Sequence, residues 1–191
     1  VINADEVEIS FDEVPPIVYP EDNPPSATAW ALGKRLFYEP LLSKDSSVSC
    51  ASCHLPDYAF SDTSSVSAGF EGALGTRNSS PLFNVAYHPY FTREGGVPTL
   101  EMQILVPIQE SHEFNNNILL IGQRLRQDTS YQRMSNEAYG RDLDYYVITR
   151  ALANFERSLI SVNSKFDQFA NGDKGALNQK ELAGMRLFFG E

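Results

Sequence analysis

Cysteine is nearly missing from this 191-residue chain, which has only Cys50 and Cys53. Two cysteines three positions apart cannot staple distant segments, so a disulfide framework is excluded. Tryptophan occurs once, at Trp30, and histidine three times. No apolar run approaches the roughly 18–20 residues that cross a bilayer, and residues 118–121 and 182–189 read as faces of amphipathic helices. Basic residues are outnumbered, with 15 Lys and Arg against 25 Asp and Glu for a net charge of −10. Such a surface disfavours nucleic acid and anionic lipid. It suits a basic partner, such as a small electron-donor protein, or simply keeps the chain soluble. Alternating strand patterns are sparse. The first residues, VINADEVEIS, lack the basic and apolar regions of a signal peptide, so either the protein is cytosolic or such a segment has been removed.

The 42% of hydrophobic residues suffices for a packed core. Residues 1–25 are acidic and hold Pro15, Pro16, Pro20, Pro24 and Pro25, which predicts an extended arm lying on something else. Ser26 is placed to cap a helix through Trp30 to Phe37, stopped by Pro40. Residues 43–80, rich in Ser, Gly and Asp, read as a long loop with short helical turns. A stretch that irregular is uncommon unless it wraps a ligand. Further helices are expected over 81–87, 99–106, 117–127 and 142–161. The last carries a mainly apolar stripe through Leu143, Val147, Ala151 and Phe155. Asn178 followed by Glu181 predicts a capping box before residues 182–189.

One repeat stands out. LGKRLFYE at 32–39 recurs as AGMRLFFGE at 183–191. Cys50 follows Gly33 by 17 residues, whereas the chain stops seven residues after Gly184. A duplication cut before its second cysteine pair has this form, and so do two unrelated amphipathic helices. The organisation expected is an arm over 1–25, a main domain over 26–180 and the start of a second domain over 181–191.

Cys50-Ala51-Ser52-Cys53-His54 has the pattern of c-type haem attachment. Two intervening residues let both sulfurs reach the two vinyl groups on one haem edge, and the adjacent imidazole swings beneath the ring to ligate iron. Other uses of the motif were weighed. Zinc needs four ligands, which only His88 and His112 could complete, at an unusual spacing. A reactive dithiol would need a βαβ context that the pattern lacks. The haem reading makes the fold class mostly α, a c-type cytochrome domain with long loops wrapped around a covalently attached haem. It also implies the periplasm, with a signal peptide removed.

Around the motif, LGKRLFYEPLLSKDSSVSCASCH, then GTRNSSPLFNVAY, then LEMQILVPIQESHEF resemble the amino-terminal domain of bacterial di-haem cytochrome c peroxidases and MauG-like enzymes. The resemblance implies an enzyme that reduces hydrogen peroxide, or uses it to oxidise a protein substrate. It implies one haem c in this chain and two in the intact protein, the second relaying electrons from a donor. It implies that Cys50, Cys53 and His54 attach and ligate the haem, that Gln103, Pro107 and Glu113 line its distal face with Glu113 moving protons, and that Asn78 faces a calcium ion. A homodimer is compatible with it. Phe70 falls where many relatives have an iron-ligating histidine, which would leave the distal face open, and Thr92 falls where they have a tryptophan that passes electrons between haems. His88 and His112 were considered as sixth iron ligands and set aside. Trp30, Met102, Met134 and Met185 are expected in the core. The alternative is a plain electron-transfer cytochrome with a six-coordinate iron.

Overall fold

A computed structural model describes residues 16–190. Two units are distinguished among the described residues, one spanning 17–160 and the other 161–190. The extended arm expected over 1–25 is described only from Pro16; its earlier part lies outside the described residues.

The larger unit is built on α1 (Ala27–Phe37), α6 (Thr129–Tyr139) and α7 (Tyr145–Arg157). Ser26 begins α1 as expected, its Oγ accepting the Ala29 N–H at 3.2 Å. Between α1 and α6 come α2 (Cys50–Cys53), α3 (Leu100–Gln103), α4 (Leu105–Gln109) and α5 (Ile118–Leu125). Helix α5 is capped by Asn117, whose side chain accepts the Leu119 N–H at 2.8 Å. α3 and α4 form one bent rod. Pro107 has no N–H to give the Gln103 carbonyl, so the helical ladder breaks between them. No sheet forms among the described residues, only three isolated bridges such as Leu55 with Ser61. No described helix is long and apolar enough to cross a membrane.

α1 crosses α7 at Gly33. A Cβ there would lie 1.9 Å from the Ala151 carbonyl oxygen, so only glycine permits the approach. The crossing buries Leu32, Leu36, Phe37, Val147, Ile148 and Phe155, each worth about 1.5–3 kcal/mol of transfer free energy. α7 is buried nearly all round from Val147 to Arg157, a wider face than the stripe read from the sequence. Two helices escaped the sequence analysis. α6 has little apolar content, yet Asp128 caps it (Ser130 N–H to Oδ1, 2.8 Å) and Gly140 ends it in a left-handed conformation, φ 63°. α8 (Lys165–Ala170) is capped by Ser164 and Asp167.

The described part of the arm docks on this unit. Asn23 Nδ2 donates to Glu101 Oε1 at 2.8 Å and to the Arg150 carbonyl at 3.0 Å. Asp22 pairs with Arg150, and the Pro24 carbonyl accepts from Asn154.

The smaller unit packs α8 with α9 (Gln179–Phe189) around Phe169, Leu182 and Met185. The capping box at Asn178 is present, with Glu181 N–H to Asn178 Oδ1 at 3.1 Å and Asn178 N–H to Glu181 Oε2 at 2.7 Å. Beyond Met185, Leu187 is 77% exposed and Phe188 85%.

Candidate functional site

The Cys–His cluster sits on a single tight turn. The Ser49 N–H donates to Ser52 Oγ at 3.0 Å, and the His54 N–H closes α2 on the Cys50 carbonyl at 3.0 Å. The following loop then doubles back. Ala59 and Phe60 both take left-handed backbone, φ 59° and 56°, and turn the Phe60 carbonyl onto the His54 ring, 2.8 Å from Nδ1. A carbonyl only accepts, so Nδ1 carries the proton and Nε2 the lone pair, the tautomer a metal-ligating histidine needs. Burial lowers the His54 pKa against the opposing pull of the Phe60 and Ser80 carbonyls, and the imidazole is neutral at neutral pH.

The turn opens on a cavity of about 560 Å³, within the size range of cofactor pockets. Cys50, Cys53 and His54 form one wall, Gln103 and Pro107 of the bent rod another, and His112 and Glu113 a third. Leu152 and Glu156 of α7 complete it. Burial raises both thiols, Cys50 far above the usual range with Glu156 adding to the shift. Among the described residues no group of three or more His, Cys, Asp or Glu could hold a metal ion, so the four-ligand set that zinc requires is not assembled. The donors present fit a group that brings its own equatorial ligands: two thiols, one neutral imidazole and a large, mostly apolar void. A haem is such a group. Gln103 adds a second sign, since its Oε1 is buried in the cavity wall without a hydrogen-bond partner among the described residues.

Glu113 is held by its backbone. The Phe70 N–H donates to its carbonyl at 2.7 Å, and Gly69 lies against it so closely that a Cβ would come within 2.0 Å of the His112 oxygen. Glu113 lines the void although part of it is exposed, and neighbouring protein atoms raise its pKa, with Glu110 adding to the shift. Phe70 itself is not in the cavity wall. Its ring lies 5.5 Å from the Lys44 amine, and it serves the site through its N–H.

Asn78 lines the cavity, with Nδ2 donating to the Ser64 carbonyl at 2.8 Å and Oδ1 accepting from Ser61 at 3.4 Å. His88, Thr92 and His112 are on the wall too, His112 with Nδ1 3.2 Å from Glu110. Two expectations about the core fail: Met102 is 51% exposed and Trp30 37%, each on the outer side of a helix whose other face is packed.

Glu156 belongs to no motif in the sequence, yet it lines the cavity. It is 6% exposed, and its carboxyl makes no hydrogen bond among the described residues. Burial pushes its pKa up to about 8, Arg157 opposing and Glu101 adding. The signal was an acid inside an apolar helical run, four residues after Leu152. Its neighbour Arg157 instead forms a buried two-pronged pair with Glu101, 2.6 and 2.8 Å, tying α7 to the rod that carries Gln103.

Comparison with known proteins supplies the relatives. Residues 27–175 match the di-haem cytochrome c peroxidase family. The chain is 38% identical to cytochrome-c peroxidase IdrP1 of Pseudomonas sp. (strain SCT), over 93% of this chain and 48% of that protein. It is 34% identical to the methylamine utilization protein MauG of Methylorubrum extorquens, over 92% and 50%. Among solved structures, a MauG-like protein associated with microbial copper homeostasis superposes with a TM-score of 0.85 at 33% identity, covering 93% of this chain and 53% of that one. The chain thus spans about half the length of these relatives.

Proposed function

Because the chain belongs to the di-haem cytochrome c peroxidase family, we propose that it is a haem-carrying, peroxide-reactive half of such an enzyme. The observation that carries this reading is one shared cavity, with the Cys50–Cys53–His54 turn on one wall and Gln103 and Glu113 on the others.

Cys50 and Cys53 would hold the haem through thioether bonds, and His54 would ligate its iron through Nε2. When bound, the haem supplies an iron that exchanges electrons with peroxide. The residues around the cavity do the rest. Glu113 takes a proton from one peroxide oxygen and returns it to the oxygen that departs as water, and its raised pKa suits both halves of that transfer. Gln103 Oε1 accepts a hydrogen bond from peroxide or water and orients it. Pro107 presents an apolar ring with no N–H to compete.

Electrons would come from a second c-type haem, a small donor protein or a protein substrate, in the periplasm. The repeat supports a second domain. In the first copy, Leu36 and Phe37 are buried, and Arg35 bonds Ser130 and Asp128 while stacking 3.8 Å over Tyr131. In the second copy the matching Leu187 and Phe188 are exposed, and Arg186 Nε is buried without a hydrogen-bond partner among the described residues. We read 26–180 as the haem domain and 181–191 as the start of another.

The test is expression with haem-maturation machinery, a pyridine haemochrome assay and rapid mixing with hydrogen peroxide. One covalent haem and a Soret change on mixing are expected. A chain without covalent haem, or one whose Soret band ignores millimolar peroxide, overturns the reading. His88 and His112 on the cavity wall keep an electron-carrier alternative open to measurement: a ferric spectrum that stays six-coordinate and low-spin after reduction of any partner haem would favour it.

A further inference from the structure

Trp30 sits at the end of a continuous series of aromatic contacts. Its ring centroid is 5.9 Å from that of Phe155, Phe155 is 5.1 Å from Phe37, and Phe37 is 5.8 Å from Phe60. The three phenylalanines are buried, while Trp30 keeps an exposed edge. The Phe60 carbonyl is the group bonded to His54 Nδ1. Ring contacts, the short Cβ–Cα–C link within Phe60 and one hydrogen bond therefore join the protein surface to the imidazole under the cavity. Phe60 is tied in further by Phe83 at 5.5 Å.

The surroundings of the indole suit the loss of an electron together with a proton. Nε1 donates to Ser158 Oγ at 2.7 Å; the Ser158 hydroxyl donates to the Phe155 carbonyl at 2.7 Å, and Ser158 is exposed, so water reaches the oxygen that takes the indole proton. The Lys34 ammonium lies 5.2 Å from the ring centroid. A cation there favours the neutral, electron-rich ring and opposes a positively charged one, so oxidation is eased when the N–H proton leaves with the electron. Tyr38 also touches Phe37, at 5.5 Å, and is 45% exposed, which makes it the competing end of the series that the labelling test must separate from Trp30.

We propose that Trp30 is a one-electron relay between the surface and the haem site, acting through Phe155, Phe37 and Phe60. The proposal rests on the haem–peroxide reading above. Hydrogen peroxide takes up two electrons and two protons to give two waters. In each one-electron step the Trp30 indole releases an electron inward and its Nε1 proton outward through Ser158 to water. A reduced metalloprotein donor at the surface returns the electron, and water returns the proton. Trp30 is a relay residue rather than a catalytic one, since it touches no reacting atom.

Because Trp30 is the only tryptophan, labelling there is unambiguous. The haem-loaded chain is mixed with equimolar peroxide and a nitroso radical trap, without donor, and digested for peptide mapping. An adduct on Trp30 is expected, absent when a haem-free Cys50→Ser/Cys53→Ser chain is treated alike. Trp30→Phe should remove labelling at position 30, and Trp30→Tyr, still oxidisable, should keep it. Phe155→Leu, which keeps apolar volume but removes the bridging ring, should lower the Trp30 adduct several-fold.

Equal labelling without haem, labelling confined to Tyr38, or undiminished labelling in Phe155→Leu overturns the relay. If the Soret band does not respond to peroxide, the functional reading itself fails; if it responds and Trp30 stays unlabelled, only the relay fails.

Discussion

His54 Nδ1 donates to the Phe60 carbonyl across 2.8 Å, and the turn presenting that carbonyl holds two consecutive non-glycine residues in left-handed backbone, Ala59 and Phe60. L-residues incur about 1–2 kcal/mol in that conformation. Ala59→Gly should therefore stabilise the chain by about 0.5–1 kcal/mol, while Ala59→Val should destabilise it by more than about 1 kcal/mol and loosen the imidazole. Urea unfolding measures both. A glycine variant no more stable than the parent would remove the strain account.

The pair between Glu101 and Arg157 is buried, two-pronged and joined by Asn23. Burial alone would raise the Glu101 carboxyl, but the bonds from Arg157 and Asn23 outweigh it and its pKa is lowered. A depressed carboxylate contributes stability above its unfolded pKa and loses it as pH falls through the folded value. Arg157→Met should cost about 3–5 kcal/mol at pH 7 by stranding a buried charge. That deficit should shrink as pH falls, because burial without Arg157 favours a protonated Glu101 in the variant; a deficit independent of pH would mean lost packing instead.

Glu156 has the opposite sign. Its folded pKa, about 8, lies above the ordinary carboxylate value of 4.5, so between those values the folded state holds a proton that the unfolded state has lost. Stability then falls as pH rises through that window, by up to roughly 4–5 kcal/mol. Glu156→Gln should flatten the decline and be more stable than the parent at pH 8. Parallel slopes for parent and variant from pH 5 to 8 would show that another group sets the dependence.

Glu113 owes its position to Gly69 and the Phe70 N–H. Glu113→Gln keeps the shape but cannot shuttle a proton, and should slow the Soret response to peroxide by roughly 10²–10⁴-fold. Gly69→Ala leaves the carboxyl in place chemically yet forces the 112–113 backbone to move, and should slow the same response. Rapid mixing resolves both. A Gln variant as fast as the parent would remove Glu113 from the proposed mechanism.

Gly33 and Gly184 hold the same place in the repeated motif but meet different surroundings. A Cβ on Gly33 would strike the Ala151 carbonyl at 1.9 Å, whereas Gly184 has nothing within 4 Å. Gly33→Ala should destabilise by about 1–3 kcal/mol or more. Gly184→Ala should stabilise α9 by up to about 1 kcal/mol. In a longer protein whose second domain packs α9 as α1 packs here, the Gly184 effect should reverse, and thermal melts of the two lengths would report it.

Helix ends were legible where a side chain caps the backbone locally. Ser26, Asn117 and Asn178 announce α1, α5 and α9 because the bond each makes spans two or three residues. α6 was missed because its apolar stripe is thin, although Asp128 and Gly140 mark its ends by the same rule. Trp30 and Met102 were misplaced because hydrophobicity says that a residue can be buried, while only the crossing of neighbouring helices says whether it is.

Residue order alone determined the Cys50–Cys53–His54 chemistry, because sulfur reach and imidazole position are set within five consecutive residues. It also determined the mostly helical class and the family resemblance. Tertiary structure alone decided that this turn faces Gln103, Glu113 and Glu156 across one cavity, and that Phe155, Phe37 and Phe60 line up beneath Trp30. Those meetings join positions as far apart in the chain as Trp30 and Phe155, and they depend on how α1 and the bent rod close on α7, which local sequence does not encode.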